Sequence, residues 1–344
     1  MAEPSRSGVE ALGTLPPAMN PIALSLNENP FPPLPSVRSA LGAAIEAANR
    51  YPEYLPERLR SLIAAHKGLC DEQVVVGAGA TGVIMQVLQA VTDPGDRIVM
   101  ASPTFDGYPI FAQMARLETV TVALDAHGHH DFDAMVTAAD GAKVVVVCRP
   151  HNPTGTIESA AGLERFIRRL SPQTVVLLDE AYAEFLAPEC RIDAVELVAR
   201  YPNVVVVRTF SKAYGLAGLR IGYGFCAPRL ARRLWTMQLP FGIAITALVA
   251  VAASFDAEAE LYQRIRMITS ERRYLRMRLR SMGVYSTESH ANFVYVPDCG
   301  RAWGQVFEAS GVRVRKYADG GVRITVGDRR STRAVVAAVA EAMR

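Results

Sequence analysis

Lysine is scarce in this chain: of 37 lysines and arginines only four, Lys67, Lys143, Lys212 and Lys316, are lysines. Lys212 stands in "VVVVRTFSKAYGLAGLRIGYG" (204–224), after a run of four valines and ahead of a glycine-rich turn that holds Arg220. The choice of residue carries chemical content. Arginine stays protonated and cannot act as a nucleophilic amine, whereas a desolvated lysine lowers its pKa and can condense with a carbonyl. Arg220 is suited to the opposite task, a permanent forked cation for a phosphate. A solvated surface lysine is the ordinary alternative. It is weakened here because most exposed cationic positions have gone to arginine.

Two further residues stand at the ends of apolar runs. Asp179 closes "TVVLLDEAY", and a carboxylate at the end of buried aliphatics must be paired or hydrogen-bonded, as a cap, a buried ion pair or a site residue. Tyr182, three residues on, either aims a phenol into the same crevice or packs in the core. Gly77, Gly79 and Gly82 in "VVVGAGATGVIMQVLQAV" spell GxGxxG after a strand and at a helix start. Small residues there let backbone N–H groups approach an anion, a phosphate foremost. A dinucleotide site would also need an acidic residue closing a second strand. Asp96 has roughly the spacing, but "TDPGDRI" places it in a turn before its strand. A plain structural turn is the other alternative.

The elements that must position these groups follow from the pattern. From about residue 58 helical and strand segments alternate, the signature of a mostly parallel sheet covered by helices. The strand candidates are residues 73–77, 97–101, 143–148, 174–179 and 203–209, apolar on both pleats as expected when both sheet faces are covered. Each runs directly into chemically rich text: "GAGATG", "SPTFDGY", "RPHNPTG", "DEAY" and "FSKAYG". Ligands in open α/β sheets sit beyond the carboxyl ends of strands, so these ends should converge on one crevice. An amine, a carboxylate and several phosphate donors together match the needs of one cofactor, pyridoxal phosphate.

"RTFSKAYGLAGLRIGYG", with "RPHNPTG", "LLDEAYAEF", "NRYPE", "LNENPFPPLP" and "VRITVG", resembles the class I/II aminotransferases of fold type I, and more narrowly the histidinol-phosphate and aromatic amino-acid aminotransferases. The matches run in family order from about residue 24 to residue 327. The resemblance implies an α/β fold with a mostly parallel seven-stranded sheet in a large domain, a smaller α+β C-terminal domain, and a homodimer. It implies that Lys212 forms the Schiff base with the cofactor and moves the substrate Cα proton. Asp179 would hold the ring nitrogen protonated, Asn152 and Tyr182 would bond the phenolic oxygen, and Phe105 would stack on the ring. Ala80, Thr81, Ser211 and Arg220 would cradle the phosphate, with Tyr51 reaching in from the neighbouring subunit. Arg323 would grip the substrate carboxylate, and Asn27 and Glu28 would line the mouth. This chain departs from the family at His151, where an asparagine is usual, with Arg149 two residues earlier. Its phosphate loop lacks the common acidic residue, and "FPPLP" replaces a glycine-containing turn.

The totals agree with a globular enzyme. At 344 residues, with 50% hydrophobic and 21% charged residues, the chain can hold one large domain and a smaller partner. A net charge of +3 gives no reason to expect nucleic acid or an anionic membrane as partner. Five scattered cysteines without a CxxC pair suit a reducing, cytoplasmic setting. The N-terminus shows no signal-peptide pattern, and the apolar run 243–253 is too short to span a bilayer. The expected organisation is an extended proline-rich arm (1–40), a large domain (41–255) and a small domain (256–344). "DAHGHHDFD" (125–133) is expected to be a solvated loop rather than a metal site, His66 and His290 ordinary histidines, and the arginines of 264–280 a solvated helix face. The activity expected is transfer of an amino group from histidinol phosphate or an aromatic amino acid to 2-oxoglutarate in a ping-pong cycle. A phosphothreonine decarboxylase of the cobalamin pathway and a non-catalytic cofactor-binding protein are the alternatives.

Overall fold

The computed structural model describes residues 17–344, so the first sixteen residues of the expected arm lie outside the described residues. Seven strands form the main sheet: β1 (Val74–Ala78), β2 (Arg97–Ser102), β3 (Glu118–Ala123), β4 (Val144–Cys148), β5 (Val175–Asp179), β6 (Val204–Thr209) and β7 (Ile221–Cys226). Their order is β1-β7-β6-β5-β4-β2-β3. Only β7 runs antiparallel to its neighbours. The valine runs explain the layering, because alternate residues feed opposite faces. Val145 and Val147 of β4 join one core, while Val144, Val146 and Cys148 join the other. Full burial of each such aliphatic stabilises the fold by about 1.5–3 kcal/mol.

Two strands lie outside the five apolar runs. In β3 the exposure alternates along "ETVTVA", as suits an edge strand with one wet face. In β7, "IGYGFC" is interrupted by Gly222 and Gly224, which lowers its strand propensity. Those glycines are required by packing. A Cβ on Gly222 would lie 2.3 Å from the Ala80 nitrogen, and one on Gly224 would lie 2.8 Å from Val83 Cγ1. The helix Gly79–Val91 therefore rests directly on the β7 backbone. Likewise a Cβ on Gly77 would meet the Val83 nitrogen at 2.8 Å. Part of the GxGxxG pattern thus serves helix–strand packing.

A three-stranded antiparallel sheet follows, β8 (Phe293–Val296), β9 (Arg315–Lys316) and β10 (Val322–Thr325), in the order β8-β10-β9. The 24-residue helix Glu258–Ser281 leads into it and the helix Arg329–Ala342 ends the chain. The N-terminal segment is extended at first. Leu24 N–H donates to the Arg313 carbonyl and its own carbonyl accepts from Thr325 N–H, at 2.8 and 2.9 Å. The arm stops being extended earlier than its prolines suggest, because Pro35 opens the helix Pro35–Ala44. Proline at the first helical position is favoured, its fixed φ and missing N–H costing nothing there.

Two surface expectations are corrected. His130 of the histidine-rich segment is buried, its Nδ1 2.7 Å from Glu158 Oε1. Burial pushes the Glu158 carboxyl up, but the adjoining His130 outweighs it and brings it to about 2. Arg272 leaves the solvated face of its helix and donates to the Ala291 carbonyl at 2.7 Å. In both cases a tertiary partner compensates the burial of a polar group. His66 is partly covered, stacked on Phe255 with centroids 3.6 Å apart. No helix of the described residues is long and apolar enough to cross a membrane.

Candidate active site

The carboxyl ends of β4, β5 and β6 and the start of the helix after β1 surround a cavity of about 240 Å³. Glu28, Ala80, Thr81, Phe105, Asn152, Asp179, Tyr182, Ser211, Lys212 and Arg220 all line it. Parallel strands point these ends one way, and the antiparallel β7 returns the chain through residues 210–220 along the same rim. That return carries both Lys212 and Arg220.

Lys212 Nζ donates to the Leu26 carbonyl at 3.0 Å and lies 6.0 Å from the centroid of the Tyr182 ring. Burial first, and the Arg323 cation second, lower its ammonium to about 8. A lysine so placed reaches its neutral, nucleophilic form near physiological pH. The arm secures the turn behind it, with Asn29 Nδ2 donating to the Lys212 and Ala213 carbonyls at 3.1 and 3.0 Å.

At the end of β5, Asp179 Oδ1 accepts from Ala181 N–H at 2.9 Å and Oδ2 from the Tyr108 hydroxyl at 2.6 Å. Burial raises its pKa, opposed chiefly by the Tyr108 bond. Next door, Glu180 takes two N–H groups of Arg208 at 3.0 and 2.7 Å and so ties the ends of β5 and β6 together.

Tyr182 Oη accepts from Asn27 Nδ2 at 2.9 Å and from Asn152 Nδ2 at 3.4 Å, which leaves its own O–H free to donate. Burial keeps that phenol protonated by raising its pKa. Asn27 does not sit at the mouth as expected. It is 1% exposed, held at φ +54 between the Thr325 hydroxyl and the Tyr182 oxygen, so it acts from behind.

The anion cradle is built from backbone. The helix Gly79–Val91 has no side-chain cap at Ala78 and no acidic residue in its first turn, so its first N–H groups and its dipole are left for a negative ligand. Arg220, itself at φ +52, spans Ala217 O, Ala78 O, Thr81 Oγ1 and Ser211 Oγ at 3.0–3.5 Å. Among the described residues no carboxylate pairs with it. Gly79, at φ +77, passes beneath Arg220, where a Cβ would lie 2.3 Å from Nη2. Gly79→Ala should therefore displace the guanidinium and weaken phosphate binding by about tenfold or more. Equilibrium dialysis with inorganic phosphate and with a phosphorylated cofactor measures this, and unchanged binding would remove Gly79 from the cradle.

Arg323, in β10, reaches the same crevice. Its Nη1 donates to Asn152 Oδ1 at 2.5 Å and to the Tyr317 oxygen at 3.0 Å, and Nη2 donates to the Ser25 carbonyl at 2.6 Å, while Nε is buried without a partner. A buried guanidinium held only by neutral acceptors calls for an anion. Phe105 stands edge-on to Tyr108, centroids 5.3 Å apart. His151, beside Asn152, is fully buried and neutral. Burial lowers its pKa to about 3, and Nε2–H donates to the Pro103 carbonyl at 3.0 Å. It thereby fastens the Phe105 loop to the Asn152 loop. Arg149 is buried too, donating to the carbonyls of Glu158 and Cys190.

Tyr51 is not brought to this cavity. It is 83% exposed, beside Phe241 at 5.0 Å between centroids. Two residues that sequence reasoning passed over belong to the site, Tyr108 and Tyr317; Thr209, near Lys212 in the sequence, donates its hydroxyl to Ser211 Oγ at 3.0 Å. Tyr108 lies in the quoted "SPTFDGY", where its strand-end position was the available signal.

Comparison with known proteins identifies the family. The sequence profile described as aminotransferase class I and II matches residues 20–339. An aromatic amino acid aminotransferase of Streptomyces coelicolor is 40% identical over 333 residues, 94% of this chain and 93% of that protein. One of Rhodococcus opacus is 42% identical over 310 residues, 89% of this chain and 86% of that protein. The crystal structure of histidinol-phosphate aminotransferase from Sinorhizobium meliloti, in complex with pyridoxal-5′-phosphate, superposes with a TM-score of 0.87 at 25% identity. It covers 100% of this chain and 98% of that one.

Proposed function

Because the chain belongs to the class I and II aminotransferases, we propose that its cavity binds pyridoxal 5′-phosphate and transfers the amino group of an aromatic amino acid to 2-oxoglutarate. The observation that carries the cofactor is an uncapped helix start and Arg220, paired with no carboxylate among the described residues, around the same cavity as Lys212 and Asp179. Bound there, pyridoxal phosphate supplies an aldehyde that condenses with an amine and a ring that takes up an electron pair. The backbone of Ala80 and Thr81, with Ser211 and Arg220, would hold the phosphate. Asp179 would face the ring nitrogen, Asn152 and Tyr182 the phenolic oxygen, and Phe105 one ring face. Lys212 Nζ takes the substrate Cα proton and later returns one to the acceptor's carbon. Arg323 orients the substrate by its α-carboxylate, which leaves the side chain to face Phe105, Leu26 and Glu28.

The aromatic donor is favoured by the names of the relatives near 40% identity, whereas Arg323 suits either reading, since it would pair with the carboxylate of an amino acid or with the phosphate of histidinol phosphate. Histidinol phosphate is the second reading, supported by the solved neighbour. A panel of phenylalanine, tyrosine, histidine and histidinol phosphate with 2-oxoglutarate decides between them. Arg323→Met should raise KM for phenylalanine by about a hundredfold, with a smaller change in kcat. An unchanged KM would exclude the carboxylate role. Release of carbon dioxide without glutamate would point instead to the decarboxylase chemistry.

The same reading makes the protein a homodimer in which Tyr51, with Tyr54 and Phe241 around it, meets the partner subunit's phosphate site. A cytoplasmic setting is the further reading, supported by five cysteines that are all free. It also divides the chain near residue 255, where the helix Ile245–Asp256 gives way to the helix Glu258–Ser281.

A further inference from the structure

We propose that Tyr108 is a positioning residue for the transfer reaction, its phenol fixing the orientation of the Asp179 carboxylate and holding it ionised. The inference rests on the reading of Asp179 as partner of the cofactor ring nitrogen. Tyr108 sits in the first turn of the helix Gly107–Met114 and is 1% exposed. Its oxygen lies 2.6 Å from Asp179 Oδ2, a distance typical of a hydroxyl donating to a charged acceptor. Among the described residues only one other group donates to this carboxylate, the Ala181 N–H on Oδ1. The hydroxyl donates and Oδ2 accepts. The phenol stays protonated, since burial and then the Asp179 charge raise its pKa well above 10.

The surroundings otherwise work against an ionised Asp179. Burial raises its pKa, and the adjoining Glu180 raises it further. Tyr108, Ala181 and Lys212 oppose them, Tyr108 most strongly. A neutral Asp179 could not balance a protonated ring nitrogen, so the hydroxyl would act on the cofactor without touching it. Packing gives no separate reason for the oxygen. Phenylalanine would fill the same volume and keep the edge contact with Phe105.

Tyr108→Phe in the cofactor-loaded enzyme tests this, beside Asp179→Asn and the double variant. Tyr108→Phe should lower kcat by about tenfold or more and change KM for the donor by less than about threefold. With ¹⁵N-labelled cofactor, the ring-nitrogen signal should move toward that of an unprotonated pyridine. The double variant should be no slower than Asp179→Asn, because both changes remove one unit. Loss of kcat without movement of the ring-nitrogen signal, or effects that multiply, would assign Tyr108 to packing and overturn the inference. Wild-type behaviour of Tyr108→Phe beside an impaired Asp179→Asn would overturn it alone. Wild-type behaviour of Asp179→Asn would remove the reading beneath it.

Discussion

Lys212→Ala should lower amino transfer by at least about four orders of magnitude, with the cofactor still bound through its phosphate. In the proposed reaction the amine would perform two tasks that no neighbour can assume. The neighbouring cations, Arg220 and Arg323, are guanidinium groups engaged with carbonyl and amide oxygens and offer no amine. Borohydride treatment should fix the cofactor to the wild-type protein at Lys212, as peptide mapping would show, and leave no adduct on the variant. An adduct of equal yield in Lys212→Ala would refute the assignment. The pH dependence follows from the ammonium at about 8. Only the neutral amine attacks, so the rate of adduct formation with added cofactor should rise through pH 8 and level off above it. The same shift bears on stability. A lysine with a depressed folded pKa costs nothing above its unfolded value of 10.5. The penalty grows as pH falls toward 8 and is constant below, at most about 3 kcal/mol. The cofactor-free Lys212→Met protein should accordingly melt higher than wild type at pH 7, the gap closing by about pH 11.

Asp179→Asn should cost about 10²–10³ in kcat while changing KM for the donor little. An amide cannot carry the negative charge that a protonated ring nitrogen requires. It also disturbs its own support. The carboxylate accepts from both Tyr108 and Ala181, whereas an amide has one acceptor oxygen, so the Tyr108 hydroxyl must turn to accept from the NH₂ group and both charge-assisted bonds are lost. Thermal denaturation should show the variant less stable by about 1–3 kcal/mol. Steady-state rates within about threefold of wild type would exclude Asp179 from the chemistry.

The fold was legible where one strand carries its own signal. The valine runs of β4, β5 and β6 announce strands buried on both faces, and each occurs within a residue of the expected place. Lys212 was legible for a chemical reason, since the chain otherwise uses arginine and only an amine can shed its proton. β7 was hidden because its glycines answer to the helix above it rather than to strand propensity. His130 and Arg272 were misplaced because their partners, Glu158 and the Ala291 carbonyl, lie 28 and 19 residues away.

The sequence by itself therefore determined which functional groups are available: a lysine amine at a strand end, a carboxylate closing a buried strand, and a glycine-rich helix start. These are properties of residue type and local pattern. Only the tertiary structure decided how the groups are tuned. Tyr108 meets Asp179 across 71 residues, and Asn27 is clamped by Thr325 across 298. Arg323 arrives from the smaller sheet to lower the Lys212 ammonium. Such pairings depend on strand order and on burial, which strengthens every charge interaction by excluding water, and neither is written in any short stretch of the chain.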